Sequence, residues 1–147
     1  MRFLISLLSI TLIIVACKTS NKTSKSDQSK PACREMILLE VPLDSLQFDH
    51  FTIDSLLIKD QCLEIKVSYG GGCGEADFDL YLSNRIMESM PPKTLLYLTF
   101  NDQDPCRSIV KKKLKFSLKP LKKFADRGGI YLKIAGTEKS VLYQIPK

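Results

Sequence analysis

Gln61-Cys-Leu-Glu-Ile-Lys-Val-Ser-Tyr69 decides the fold. Leu63, Ile65, Val67 and Tyr69 alternate with Cys62, Glu64, Lys66 and Ser68, and a period of two places one set on each face of an extended chain. A strand with one buried and one wet face has this pattern, and such strands build antiparallel sheets. The alternation recurs in 76–82 (Phe78, Leu80, Leu82), in Leu114, Phe116 and Leu118, and in Ile130, Leu132 and Ile134. Residues 36–41, 50–59, 94–100 and 140–145 are apolar, β-branched or aromatic runs of strand length. Pro42, Lys59-Asp60, Gly70 to Gly74, Pro91-Pro92, Asp104-Pro105, Gly128-Gly129 and Gly136 punctuate them as turns. Working outward from 61–69, the expectation is an all-β domain, an antiparallel β-sandwich or barrel of about eight short strands. Asn84 to Met90 and Leu121 to Asp126 are the two stretches with helical spacing.

The amino terminus is different in kind. Phe3 to Val15 is an apolar run behind Arg2; it is shorter than the roughly 20 residues a bilayer span needs and fits the about 7 to 15 of a signal-peptide core. The run ends in Ile14-Val15-Ala16-Cys17, which resembles the lipobox of bacterial lipoproteins. That resemblance implies cleavage before Cys17, a diacylglyceryl group on its thiol and acylation of the new amine. Lys18 in place of Asp at the second mature position implies sorting to the outer membrane. Three acyl chains exceed the marginal hold of one chain, about 0.8 kcal/mol per buried CH₂. Residues 18–32 contain no large apolar side chain and are expected to be a flexible tether with a reach of about 20 Å. The organisation is therefore read as a signal peptide at 1–16, lipidated Cys17 and tether at 17–32, and one all-β domain at 33–147.

With Cys17 lipidated, Cys33, Cys62, Cys73 and Cys106 remain. An even number in an exported chain reads as two disulfides; the spacing has no CxxC or CxxH, so no metal site is expected. If successive strands alternate in direction, running up in 36–41, down in 50–59 and up in 61–69, Cys33 and Cys62 fall at one end of the domain. Cys73 and Cys106 fall at the other. The expected pairs are Cys33–Cys62 and Cys73–Cys106, each constraining the unfolded chain by roughly 3 kcal/mol.

Tyr69-Gly-Gly-Gly-Cys-Gly-Glu-Ala-Asp-Phe78 leaves backbone amides uncovered, a composition that suits an anion-binding nest. It lacks the Gly-Lys-Ser/Thr ending of a P-loop, and a tight connection serving Cys73 is the simpler expectation. With Pro91-Pro92, Asp104-Pro-Cys106 and Leu114-x-Phe116-x-Leu118, the segment resembles small uncharacterised bacterial envelope lipoproteins over roughly residues 60–145. The resemblance implies no established activity, and Ala76 stands where that pattern often carries histidine. Glu75, Asp77, Asp79, Asp102 and Asp104 are acidic and close in the expected topology, an oxygen-ligand set of the kind that holds Ca²⁺ or a solvated face.

Charge is segregated beneath the net +6. Arg107 to Arg127 has nine basic residues and one acid, while Arg34 to Cys106 has thirteen acids and five basic residues. Lys111, Lys113 and Lys115 share one strand face, with Lys119, Lys122 and Lys123 in the next connection, a candidate patch for anionic ligands. On an exposed strand such lysines also discourage edge pairing. His50 is the only histidine and has no nucleophile motif beside it, so no catalytic set assembles and no cofactor is expected. Export and core-type aromatics argue against nucleic acid. The chain is expected to be a lipid-anchored, non-catalytic binding or accessory module for an envelope protein or acidic glycan; the alternative is a structural envelope protein binding lipopolysaccharide or acidic glycan through 107–127.

Overall fold

The structure, a computed structural model, describes residues 33–126 and 128–145. The signal segment, Cys17 and residues 18–32 lie outside the described residues, as does Arg127. The strands are β1 (Ile37–Leu38), β2 (Phe51–Lys59), β3 (Cys62–Gly71), β4 (Ala76–Met87), β5 (Lys93–Asp102), β6 (Ser108–Ser117), β7 (Ile130–Ile134) and β8 (Ser140–Tyr143). A 3₁₀ turn (Lys119–Leu121) and the single-turn helix α1 (Lys122–Ala125) join β6 to β7.

The strands form two sheets, β2-β3-β6 and β1-β4-β5-β7-β8, packed as a β-sandwich. The inward members of each alternation make the core. Leu63, Ile65, Val67, Leu114 and Phe116 come from the first sheet, and Phe78, Leu80, Leu96, Leu98, Phe100, Ile130 and Leu132 from the second. Phe78 and Phe100 are cross-strand partners stacked at 4.3 Å. Phe51 and Tyr69 from the facing sheet complete an aromatic cluster around them. The β2–β3 hairpin turns on Asp60 and Gln61, both at positive φ, as a two-residue type I′ connection requires.

Strand direction alternates from β2 to β8, but the second sheet is mixed. β5 and β7 point the same way and become neighbours because β6 crosses to the other sheet, so they pair parallel. The expected alternation fails at β1, which runs parallel to β4 and therefore in the same direction as β2. The chain between them travels back along the sandwich before β2 begins, and Phe48 bridges Phe100 on the way. The expected run at 36–41 is reduced to two residues, whereas β4 is longer than expected. Asn84 to Met87 is not helix. A register shift between Leu82 and Ile86 lets β4 continue along β5, because ladder hydrogen bonds outweigh a seven-residue helix with little stability of its own. The short helical segment expected at 121–126 is present as α1.

Candidate functional site

Both disulfides form as expected, Cys33–Cys62 and Cys73–Cys106, and they staple opposite ends of one ladder. In the β3–β6 register Cys62 faces Ser117, and Gly71 faces Ser108; continuing that register two residues further brings Cys73 to Cys106. Cys33 reaches Cys62 because Arg34 bridges Phe116 on β6, its N–H donating to the Lys115 carbonyl at 2.9 Å and its carbonyl accepting from Ser117 at 2.7 Å. The pairing thus survives although the assumed direction of β1 does not. Arg34 also reaches the second sheet through the Phe78 carbonyl (2.8 Å) and Asp79 (2.7 Å).

The glycine loop closes on an anion of its own chain. The Asp104 carboxylate accepts backbone N–H bonds from Gly72, from Cys73 at 3.1 Å and from Cys106 at 2.9 Å. These amides, with that of Gly74 foremost, hold its pKa at about 2 because they stabilise the charged form. The side chain is buried. A Cβ at Gly74 would lie 2.8 Å from the Asp104 Cα, and Gly72 adopts φ 120°, so both positions require glycine. Burial, followed by the negative charges of Asp104 and Asp102, raises the pKa of the adjoining Tyr69 phenol. The loop is the tight connection to Cys73 that the sequence favours, and Asp104 takes up its uncovered amides from within. Cys73, Asp104 and Cys106 bring three ligand-type atoms together, but both sulfurs are in the disulfide.

The acidic residues around this loop are divided among separate partners. Asp79 pairs with Arg34, and Asp102 faces Arg107 at 3.6 Å while accepting the Asp104 N–H. Asp77 and Glu75 are exposed. His50 is exposed immediately before β2.

The lysines of β6 do not act as one free set. Lys111, Lys113 and Lys115 do share the outer face, opposite Ser68, Lys66 and Glu64. Lys115, however, is bound to Glu64 at 3.1 Å, with the carboxylate side chain 7% exposed. That hydrogen bond, above all, lowers the Glu64 pKa. Lys66 joins Lys111 and Lys113 as exposed cations of the sheet, a contribution that alternation alone placed on β3 but could not align with β6. Lys112 points the other way, donating to the Ala76 carbonyl at 2.8 Å and lying 5.8 Å from the Phe78 ring. It covers the seam between the sheets, and an inward charge of this kind guards an edge strand. Lys119 lies 3.9 Å from Glu35, and Lys122 and Lys123 are on α1, beyond the end of the sheet. The six expected lysines therefore divide into a sheet-face group and an end group.

Neither a family model nor a curated protein matches this chain. Among solved structures it is similar to a protein of unknown function, DUF1344, from Bacteroides vulgatus, with TM-score 0.55 and 18% identity over 78% of this chain and 57% of that one. At that identity the likeness is one of fold. Two weaker likenesses are a NigD-like immunity protein from Bacteroides caccae (TM-score 0.49, 13% identity, 76% of this chain and 58% of that one) and a putative toxin-related protein from Parabacteroides distasonis (TM-score 0.47, 18% identity, 77% and 59%). The chain spans less than two thirds of the length of each. No helix among the described residues is long and apolar enough to cross a membrane.

Proposed function

We propose that the protein is an outer-membrane lipoprotein, anchored through Cys17, whose domain is a non-catalytic binding or accessory module. The anchor rests on Ile14-Val15-Ala16-Cys17, and the observation that carries the module reading is the placement of the two disulfides. Cys33, where the amino-terminal segment joins the domain, is held at one end of β3, while the Cys73–Cys106 loop is at the other. At about 3.3 Å per residue the ten-residue strand separates them by roughly 30 Å. A chain tethered at the first end presents the second to a partner. The presented end is braced by Asp104, which ties the glycine loop to the β5–β6 connection, and it carries exposed Phe48 and Ile109 and exposed Glu75 and Asp77. The partner would be an envelope protein or a glycan.

Anchoring is tested by detergent partitioning and intact mass: wild type should partition with detergent and carry acyl mass, and Cys17→Ala should lose both. Wild-type protein in the aqueous phase without acyl mass would overturn the anchor. Binding is tested by pull-down from envelope extracts with residues 33–147. A salt-resistant partner lost in Ile109→Asp but kept in Lys111→Glu/Lys113→Glu supports the module.

A second reading, a structural protein engaging lipopolysaccharide or acidic glycan, is favoured by one observation. Lys66 and Lys113 are directly opposed, a like-charge pair that costs folding energy and that an anionic ligand would relieve. Retention that is only salt-sensitive, and is lost in the lysine variant, supports it instead.

A further inference from the structure

Met90 is fully exposed, in the connection between β4 and β5. It lines an open cleft of about 510 Å³ with Glu88, Ser89, Pro92 and Phe124. Phe124 also lines a neighbouring groove of about 230 Å³, together with Leu38, Leu82, Ile86, Leu121 and Lys123. The two form one apolar surface along α1. Lys122 and Lys123 are exposed on that helix, with the Lys123 Nζ 4.8 Å from the Phe124 ring centre. Lys119 just before it has an 81% exposed side chain, 3.9 Å from the exposed Glu35 carboxylate. Glu88 lines the cleft, Asp126 follows the last residue of α1, and Lys93 pairs with Met87 where β5 begins.

This surface is at the end of the domain that holds Cys33. β6 ends at Ser117, opposite Cys62, and runs directly into the 3₁₀ turn and α1; Cys62 holds Cys33. We propose that this end docks on an anionic phospholipid surface, with Met90 and Phe124 entering the interface and Lys119, Lys122 and Lys123 against the phosphates. The proposal rests on Cys17 being the lipid anchor. Only residues 18–32 separate Cys17 from Cys33, so an anchored domain stays near the bilayer. Apolar burial and attraction to anionic lipid then add together at the interface. Docking in this orientation leaves the Cys73–Cys106 loop pointing away from the membrane.

The chain contains no tryptophan, so Met90→Trp and Ile109→Trp each give a single reporter, one at either end of the sandwich. The mature lipidated protein is mixed with brominated vesicles, either of neutral phosphatidylcholine alone or with added phosphatidylglycerol. The expected result is quenching and a blue shift for the tryptophan at position 90 on the anionic vesicles only, with that at position 109 unaffected. Adding Lys119→Glu, Lys122→Glu and Lys123→Glu should raise the lipid needed for half-quenching of an unanchored chain on the order of 100-fold, at about 1 kcal/mol per lysine. No quenching at 90, quenching at 109 instead, or equal quenching on neutral vesicles would overturn the docking face. Flotation with neutral vesicles in high salt reports the anchor separately. A chain that floats without quenching at 90 keeps its anchor and loses this proposal. One that is quenched on anionic vesicles but does not float on neutral ones keeps the docking face and loses the anchor.

Discussion

Lys66 and Lys113 stand directly opposite each other in the β3–β6 ladder, two exposed ammonium groups on the outer face of the three-stranded sheet. Cross-strand neighbours have Cβ atoms about 5 Å apart, and like charges in that position oppose folding. Lys113→Glu converts the pair to an opposite-charge one and should stabilise the domain by about 0.2–1 kcal/mol. Thermal unfolding at low and at high salt checks it, with the gain smaller at high salt.

Lys115 must be treated apart from Lys111 and Lys113. Because it satisfies the buried Glu64 carboxylate, Lys115→Ala leaves an unpaired acceptor and should cost about 1–3 kcal/mol. Changing all three lysines to Glu therefore destabilises the domain, whereas Lys111→Glu/Lys113→Glu does not. A double-mutant cycle pairing Lys115→Met with Glu64→Gln should cost less than the two single changes added together. Strict additivity would show that the contact contributes nothing.

Acid should loosen the glycine loop first. The folded-state pKa of Asp104 is about 2, depressed from its ordinary 3.8. Its contribution is therefore complete above about pH 5 and is lost progressively as pH falls from there through 2. Asp104→Asn should lower the melting temperature at pH 7 and flatten the acid limb of the stability curve in that window. Melting temperature against pH for the two proteins checks both. An unchanged acid limb would mean that the amide contacts of Asp104 do not govern acid stability.

Gly74→Ala places a methyl group 2.8 Å from the Asp104 Cα and 3.0 Å from the Gln103 carbonyl. Backbone must shift, so the variant should lose about 1–3 kcal/mol, the usual range for forced overpacking. Gly70→Ala has no atom within 4 Å of the added carbon and serves as the control. Urea unfolding of the pair reads the difference.

The sequence by itself determined which residues face the core, because a strand's period of two is a local property carried by each segment. Leu63, Ile65, Val67, Phe78, Leu80, Leu114, Phe116 and Ile130 are buried where alternation places them, and the number of strands follows from the turns between them. The Cys73–Cys106 pair was also legible, since direction alternates from β2 onward, whereas Cys33 meets Cys62 through the Arg34–Phe116 bridge and not through the direction that alternation assigns to β1. Tertiary structure alone decided what depends on contacts distant in the chain. Whether Asn84 to Met87 extends β4 is settled by hydrogen bonds from β5, and the direction of β1 by where Phe48 must dock before β2 starts. The partner of Lys115 is Glu64 and that of the glycine loop is Asp104, more than thirty residues from Gly72. Neither is written in local spacing, because an ion pair or a filled nest depends on the register between two strands, and register is fixed only when the two faces of the sandwich pack.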